Sequence, residues 1–251
     1  MDRRSRVDRR VKRKKIGITL LLFILLMITL FIILLTKTTL FNLKQVNVEG
    51  NNIISNEKIE LASGINLGEN IFKINTERIE SNLLNHPYIE NAKVSRKLPN
   101  KIKISINERK EVVSIINKGS YIYIDNNGYI LSIVTKRKNN EVPLVKGIDN
   151  DMLNIGSKID LNNHVELNQI LSLVNMYNKN EYIYKLDSIK LNPDNNVLLN
   201  IDTGTKVAFG VVNDVKYKLR LLNEILKDAK NKDIKPKVIN LNKGTNPIIE
   251  K

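Results

Sequence analysis

Cysteine and tryptophan are absent from this 251-residue chain, and histidine occurs only twice. Without thiols there is no disulfide framework, no thiolate nucleophile and no cysteine-ligated metal, so any fold must rest on ordinary apolar cores. His86 precedes Pro87 at the end of a helical pattern, and His164 sits near a helix start among asparagines. Neither has a neighbouring ligand, so no metal site and no cofactor is expected. Aromatic residues make up 5% of the chain. The tyrosines at 121, 123, 129, 177, 182 and 184 fall on strand and helix patterns rather than forming a stacking platform, and no nucleic-acid partner is expected. Acidic residues are the minority, 26 against 41 basic ones, for a net charge of +15.

What the chain does have is one long apolar run, Ile16 to Thr36, without a charge and broken only by Gly17, Thr19, Thr29 and Thr36. A helix rising about 1.5 Å per residue over that length crosses roughly 30 Å, the hydrocarbon thickness of a bilayer. A buried helix of a soluble core would be shorter and would show a polar side. A cleavable signal peptide would have a shorter apolar region and a small-residue cleavage site, whereas Thr36-Lys37-Thr38 offers a poor one. An uncleaved, single-pass anchor is therefore expected. Residues 1–15 carry nine basic residues, Arg9, Arg10, Lys12, Arg13, Lys14 and Lys15 nearest the span, against Asp2 and Asp8. This +7 flank keeps the amino terminus cytoplasmic and rests on anionic lipid headgroups, leaving the remainder extracellular. The remaining +8 is scattered lysine, a solvated face with weak attraction to anionic cell-wall polymers.

After the span, Phe41–Glu49 reads as a strand with Val46 and Val48 alternating, and Gly50-Asn51-Asn52 as a turn. Ser55 caps a short helix ending at Gly64, and a second helix runs from about Thr76 to the stop at Pro87. Asn91–Leu98 and Lys101–Asn107 are two strands joined at Leu98-Pro99-Asn100. The first has Ala92, Val94 and Leu98 on one face with Arg96 as an exception; the second has Ile102, Ile104 and Ile106 inward. The order β-α-α-β-β makes a small α+β domain.

The residues of this stretch carry a resemblance. Val46-x-Val48-x-Gly50-Asn51, Gly68-x-Asn70-Ile71-Phe72, His86-Pro87-Tyr88-Ile89-x-x-Ala92-x-Val94, Leu98-Pro99 and Ile104-x-Ile106-x-Glu108-Arg109 resemble the POTRA domain of the FtsQ/DivIB family. As in that family, they follow a basic tail and one span. Glu111 stands where the family often has a proline.

In the second half, Tyr121–Ile124 and Tyr129–Val134 flank Asp125-Asn126-Asn127-Gly128, a hairpin signal. A helix is expected over 163–178, then strands over Leu186–Leu191, Val197–Ile201 and Lys206–Phe209. A further helix from Asp214 to Lys230 precedes strands at Lys237–Leu241 and about 245–249. Asp125-x-x-Gly128 and Gly204-x-x-Val207-x-Phe209-Gly210 are similar to the β-domain of the same family, whose last strand tends to carry Asp and Arg where this chain has Asn240 and Asn242. The predicted fold is therefore α+β: a basic tail (1–15), a transmembrane helix (16–36), a POTRA domain (41–109), a mixed β-rich domain with two helices (110–244) and a C-terminal tail (245–251).

Two motifs invite chemistry. Asp202-Thr203-Gly204-Thr205 matches the loop of aspartic proteases, which need two carboxylates sharing one proton, and no second copy is present. A membrane-anchored aspartic protease is the alternative reading; a polar hairpin turn is the favoured one. Asp125-x-x-Gly128 lacks the alternating ligands and closing Glu of a calcium loop. With no catalytic constellation, the chain reads as a non-enzymatic scaffold. The resemblance implies a role in the cell-division complex at the septum. It also implies that a sheet edge near the carboxyl terminus binds a coiled-coil division protein of the DivIC/FtsB type, with FtsL alongside. On this sequence that edge falls on Val238, Ile239, Leu241 and Lys243, and further on at Ile248 and Ile249, with strand alternation turning one of Val238 and Ile239 to the core.

Overall fold

A computed structural model describes residues 3–138, 141–148, 154–180, 182, 184–242 and 248–250, with only the backbone described over 3–15. The architecture is mixed α+β. It comprises α1 (Arg3–Lys37), a 3-10 turn (Thr39–Phe41), β1 (Gln45–Glu49), α2 (Asn56–Ser63), α3 (Thr76–Leu84), β2 (Ile89–Lys97) and β3 (Lys101–Glu108). There follow β4 (Val113–Asn117), β5 (Ser120–Ile124), β6 (Ile130–Val134), β7 (Leu144–Lys146), α4 (Val165–Lys179), β8 (Leu186–Leu191) and β9 (Val197–Ile201). The chain closes with β10 (Lys206–Gly210), α5 (Val215–Asn231), β11 (Val238–Asn240) and β12 (Ile248–Glu250). Two compact units result, one of Met1–Leu84 with Asn91–Asn107, the other of Asn85–Glu90 with Glu108–Lys251.

Within α1, Ile16–Lys37 is long and apolar enough to cross a membrane, and its apolar side chains stand exposed. The hydroxyls that interrupt it turn back into the helix: Thr29 Oγ1 donates to the Leu25 carbonyl at 2.7 Å and Thr36 Oγ1 to that of Ile32 at 2.8 Å. Such back-bonding hides polar groups that lipid could not satisfy. The basic residues from Arg9 to Lys15 lie on the preceding turns of the same helix.

The rest of the first unit is a three-stranded sheet in the order β1-β3-β2, with β1 parallel to β3 and Val48 opposite Ile104. Ile102, Ile104 and Ile106 are buried with Ile59, Ile79 and Leu83 of the two helices. Gly50 is fixed by geometry: φ is +89° and a Cβ there would lie 2.1 Å from the Ile106 carbonyl oxygen. Arg96, the exception to the alternation of β2, donates from Nε to the Ile71 carbonyl at 2.9 Å and from Nη2 to that of Ile74 at 2.6 Å. Two expectations shift. The first strand begins at Gln45, with Phe41 ending a 3-10 turn instead, and Leu98 is exposed in the turn after β2.

The second unit is a nine-stranded sheet in the order β12-β11-β10-β9-β8-β7-β4-β5-β6. The parallel pairs β7–β8 and β10–β11 are separated in sequence by α4 and α5, the connection that parallel neighbours require. Both helices bury a stripe (Leu167, Ile170, Leu171 and Val174; Leu219, Leu222 and Leu226) in the same core cluster as Ile115, Ile189, Leu199, Phe209 and Ile239. β4 is a strand that the sequence patterns did not disclose.

Candidate partner-binding edge

The order of the sheet determines which strand can accept another chain. β10 ends at Gly210, where φ is +75° and a Cβ would approach Asn242 Cβ to 2.6 Å. The chain then turns into α5, secured by Lys218 Nζ, which donates to the Val211 carbonyl at 2.9 Å and to Asn213 Oδ1 at 2.7 Å. Burial draws that amine below its ordinary value, against the pull of Asp214. After α5 the chain returns as β11, parallel to β10, with Lys206 opposite Val238 and Val207 opposite Ile239. The joint is held by the Thr205 hydroxyl, which donates to the Pro236 carbonyl at 2.8 Å, and by the Leu241 N–H, which donates to Ala208 at 2.9 Å.

The structure corrects the expected edge. β11 is an inner strand, because β12 pairs with it antiparallel: Val238 opposite Glu250, Ile239 opposite Ile249, Asn240 opposite Ile248. Ile239 and Leu241 are buried in the unit's own core and Val238 is half-buried. Side chains on opposed residues share a face, so Ile249 lies on the same side of the sheet as the buried Ile239. Lys243 lies outside the described residues. Ile248 and Ile249 are 49% and 47% exposed, and among the described residues no strand pairs with the far side of β12. An open strand with two half-exposed isoleucines offers backbone donors and acceptors plus apolar contact. Of the positions assigned to the edge, Ile248 and Ile249 therefore lie on the outer strand, while Ile239 and Leu241 lie in the core. Asn240 and Asn242 form a local turn, with the Asn242 N–H donating to Asn240 Oδ1 at 3.1 Å.

At the other end of the sheet the edge is partly covered by the chain itself. The Ile130 N–H donates to the Ser157 carbonyl at 2.9 Å and the Gly156 N–H to the Ile130 carbonyl at 2.8 Å.

The remaining candidates have structural uses. Asp202–Thr205 is the loop of the β9–β10 hairpin: the Asp202 N–H donates to Lys185, the Gly204 N–H to Ile201, and the Thr203 and Thr205 hydroxyls meet at 3.1 Å. Asp202 lines a cleft of about 510 Å3 that also contains Asp187, whose carboxylate faces the Arg137 guanidinium at 3.7 Å. A second cleft, about 730 Å3 between the end of α4 and the start of α5, has Tyr182, Tyr217 and Arg220 in its wall and one acid, Asp214. Asp125 uses Oδ1 to accept the N–H groups of Asn127 and Tyr129 and Oδ2 to bind Arg109. His164 stands at the start of α4. Among the described residues no group of three or more His, Asp or Glu side chains could hold a metal.

A family model described as "POTRA domain, FtsQ-type" matches residues 41–109, and one described as "Cell division protein FtsQ/DivIB, C-terminal" matches residues 114–242. A cell division protein DivIB of Clostridium tetani is 31% identical over 228 residues, covering 90% of this chain and 86% of that protein. A DivIB of Clostridium botulinum (strain Hall) is 28% identical over 239 residues, 94% and 92% of the two chains. One from Clostridium acetobutylicum is 40% identical over 112 residues, 45% and 44%.

Proposed function

Since the chain belongs to the FtsQ/DivIB family of cell division proteins, we propose that it is a non-enzymatic scaffold of the bacterial division machinery. In this reading α1 spans the cell membrane once, the basic amino-terminal tail is cytoplasmic, and the POTRA domain (41–109) and β-domain (110–244) act outside the membrane at the septum. The β-domain recruits DivIC/FtsB- and FtsL-type proteins by strand addition. The observation that carries the reading is the far side of β12, with which no strand pairs among the described residues, and the half-exposed Ile248 and Ile249 beside it. Backbone hydrogen bonds there supply affinity, and the two isoleucines, on opposite faces of the strand, supply choice.

The test is photo-crosslinking in the native bacterium from Ile248 and Ile249 of the full chain, with Val197 on an inner strand as control. The expected catch from the two border positions is a DivIC/FtsB-type protein. A catch from neither, with the protein at wild-type abundance, refutes the border assignment. Removing residues 248–251 should abolish co-purification of that partner. Removing 237–251, by contrast, would also take away the buried Ile239 and Leu241 and unfold the domain.

A further inference from the structure

The Gly68-x-Asn70-Ile71-Phe72 stretch has no part in strand addition, yet its asparagine binds the end of α1. α1 ends at Lys37, so its last carbonyls lack helical partners. The Thr38 N–H takes that of Leu34. The next two are taken by a side chain far along the sequence: Asn70 Nδ2 donates to the Leu35 carbonyl at 2.9 Å and to that of Thr36 at 3.4 Å. The other end of the same carboxamide, Oδ1, accepts the Phe72 N–H at 3.0 Å. Asn70 is buried, and backbone bonds lock the loop against the chain leaving the helix: Leu43 N–H to Glu69, Gly68 N–H to Leu43, and Ile71 N–H to Phe41.

This joint sets a depth. Ile16–Lys37 is 22 residues, about 32 Å of helix against about 30 Å of hydrocarbon. The Leu35 and Thr36 carbonyls thus stand at the hydrocarbon boundary, and a loop bonded to them stands there too. The loop's outward side chains suit that level. Leu40, Leu67 and Phe72 are 58%, 65% and 40% exposed, and the Phe72 ring packs on Phe41 at 5.2 Å between centroids. Lys37, Lys44 and Lys73 are exposed around them, with Glu69 as the acidic exception. Apolar side chains bordered by lysine are what an anionic phospholipid interface accepts.

We propose that the loop 67–72, together with Leu40, is a phospholipid-binding surface, held in the membrane interface by the Asn70 carboxamide. The proposal rests on the reading of α1 as a membrane span. The first domain is thereby seated on the bilayer rather than hung from it, and Asn70 is the positioning residue.

The absence of tryptophan makes single-Trp probes unambiguous. The full chain is reconstituted into phosphatidylcholine–phosphatidylglycerol vesicles with and without lipid brominated near the headgroup end of its acyl chains. The probes are Phe72→Trp, Leu40→Trp, Phe31→Trp within the span, and Ile53→Trp, an exposed position at the far end of β1 from the helix. Blue-shifted, bromine-quenched emission from Phe72→Trp and Leu40→Trp, with Ile53→Trp unquenched, is expected. Adding Asn70→Ala should weaken the Phe72→Trp quenching and leave Phe31→Trp unchanged. If neither Phe72→Trp nor Leu40→Trp is quenched more than Ile53→Trp while Phe31→Trp is quenched, the loop surface is overturned and the span stands. If Phe31→Trp is not quenched, the span fails and the proposal with it.

Discussion

Arg109 Nη1 lies 2.8 Å from Asp125 Oδ2, both side chains nearly closed to solvent, with the guanidinium carbon 3.7 Å above the Tyr129 ring. The pair joins the residue that leaves β3 to the turn between β5 and β6. Asp125 also accepts two backbone N–H groups of its own turn, so both its oxygens are engaged. Removing one member of a buried pair strands the other, at a cost of about 3–5 kcal/mol. Arg109→Ala should therefore destabilise the second unit by about 3 kcal/mol, and Asp125→Ala by more, since it also frees the Asn127 and Tyr129 N–H groups. Urea unfolding of the two variants tests this; a smaller loss for Asp125→Ala than for Arg109→Ala would contradict it.

Helical stripes and alternating strands were plain in the sequence because their periods are local. Leu219, Leu222 and Leu226 recur three and four apart, and Ile102, Ile104 and Ile106 every second residue, and each set is buried. β4 was invisible for a local reason: its turn is Lys118-Gly119, with φ of +46° and +81°, and lysine in that conformation gives no turn signal. The position of β11 was hidden for a non-local one. Its own residues read correctly as a strand, but pairing with a three-residue β12 leaves no pattern to read. Arg96 looked anomalous in β2 because its partners are carbonyls supplied by residues 71 and 74.

Those two carbonyls give a second expectation. Hydrogen bonds from a charged donor contribute about 1.5–3 kcal/mol each when desolvated, and Arg96 is exposed, so its two bonds fall at or below the lower figure. Arg96→Met keeps much of the apolar stem and loses both bonds, so it should cost the first unit about 1–2 kcal/mol. Arg96→Lys, a single-point donor in place of a fork, should recover only part of that. A thermal shift that ranks lysine no better than methionine would remove the hydrogen bonds as the cause.

Tyr177 gives the pH dependence. Its phenol donates to the Tyr184 carbonyl at 2.7 Å, and burial, with Asp202 and Tyr182 nearby, pushes its pKa well above the usual value. The unfolded chain ionises near pH 10 while the folded one does not, so this contribution is whole below about pH 10 and drains away as the pH climbs from there towards the folded value. Tyr177→Phe loses about 1 kcal/mol of hydrogen bonding at neutral pH but flattens the alkaline decline. Equal declines in the two proteins would show that another group governs it.

Ile239 and Ile249 face each other across β11 and β12, yet they should fail in different assays. Ile239 is enclosed by the core, and truncating a buried isoleucine costs about 2–5 kcal/mol through lost transfer energy and the cavity left behind. Ile249 is half-exposed at the rim, so its truncation removes less burial and leaves an open groove rather than a cavity, about 1 kcal/mol at most. Ile239→Ala should thus lower the unfolding midpoint markedly, and it reduces partner capture only in so far as the domain unfolds. Ile249→Ala should keep the midpoint near that of the parent and reduce capture of the DivIC/FtsB-type protein directly. Measuring both quantities on both variants separates the core from the border. If Ile249→Ala binds as the parent does, recognition there is carried by backbone pairing alone, and a proline at 249 becomes the variant that must abolish it.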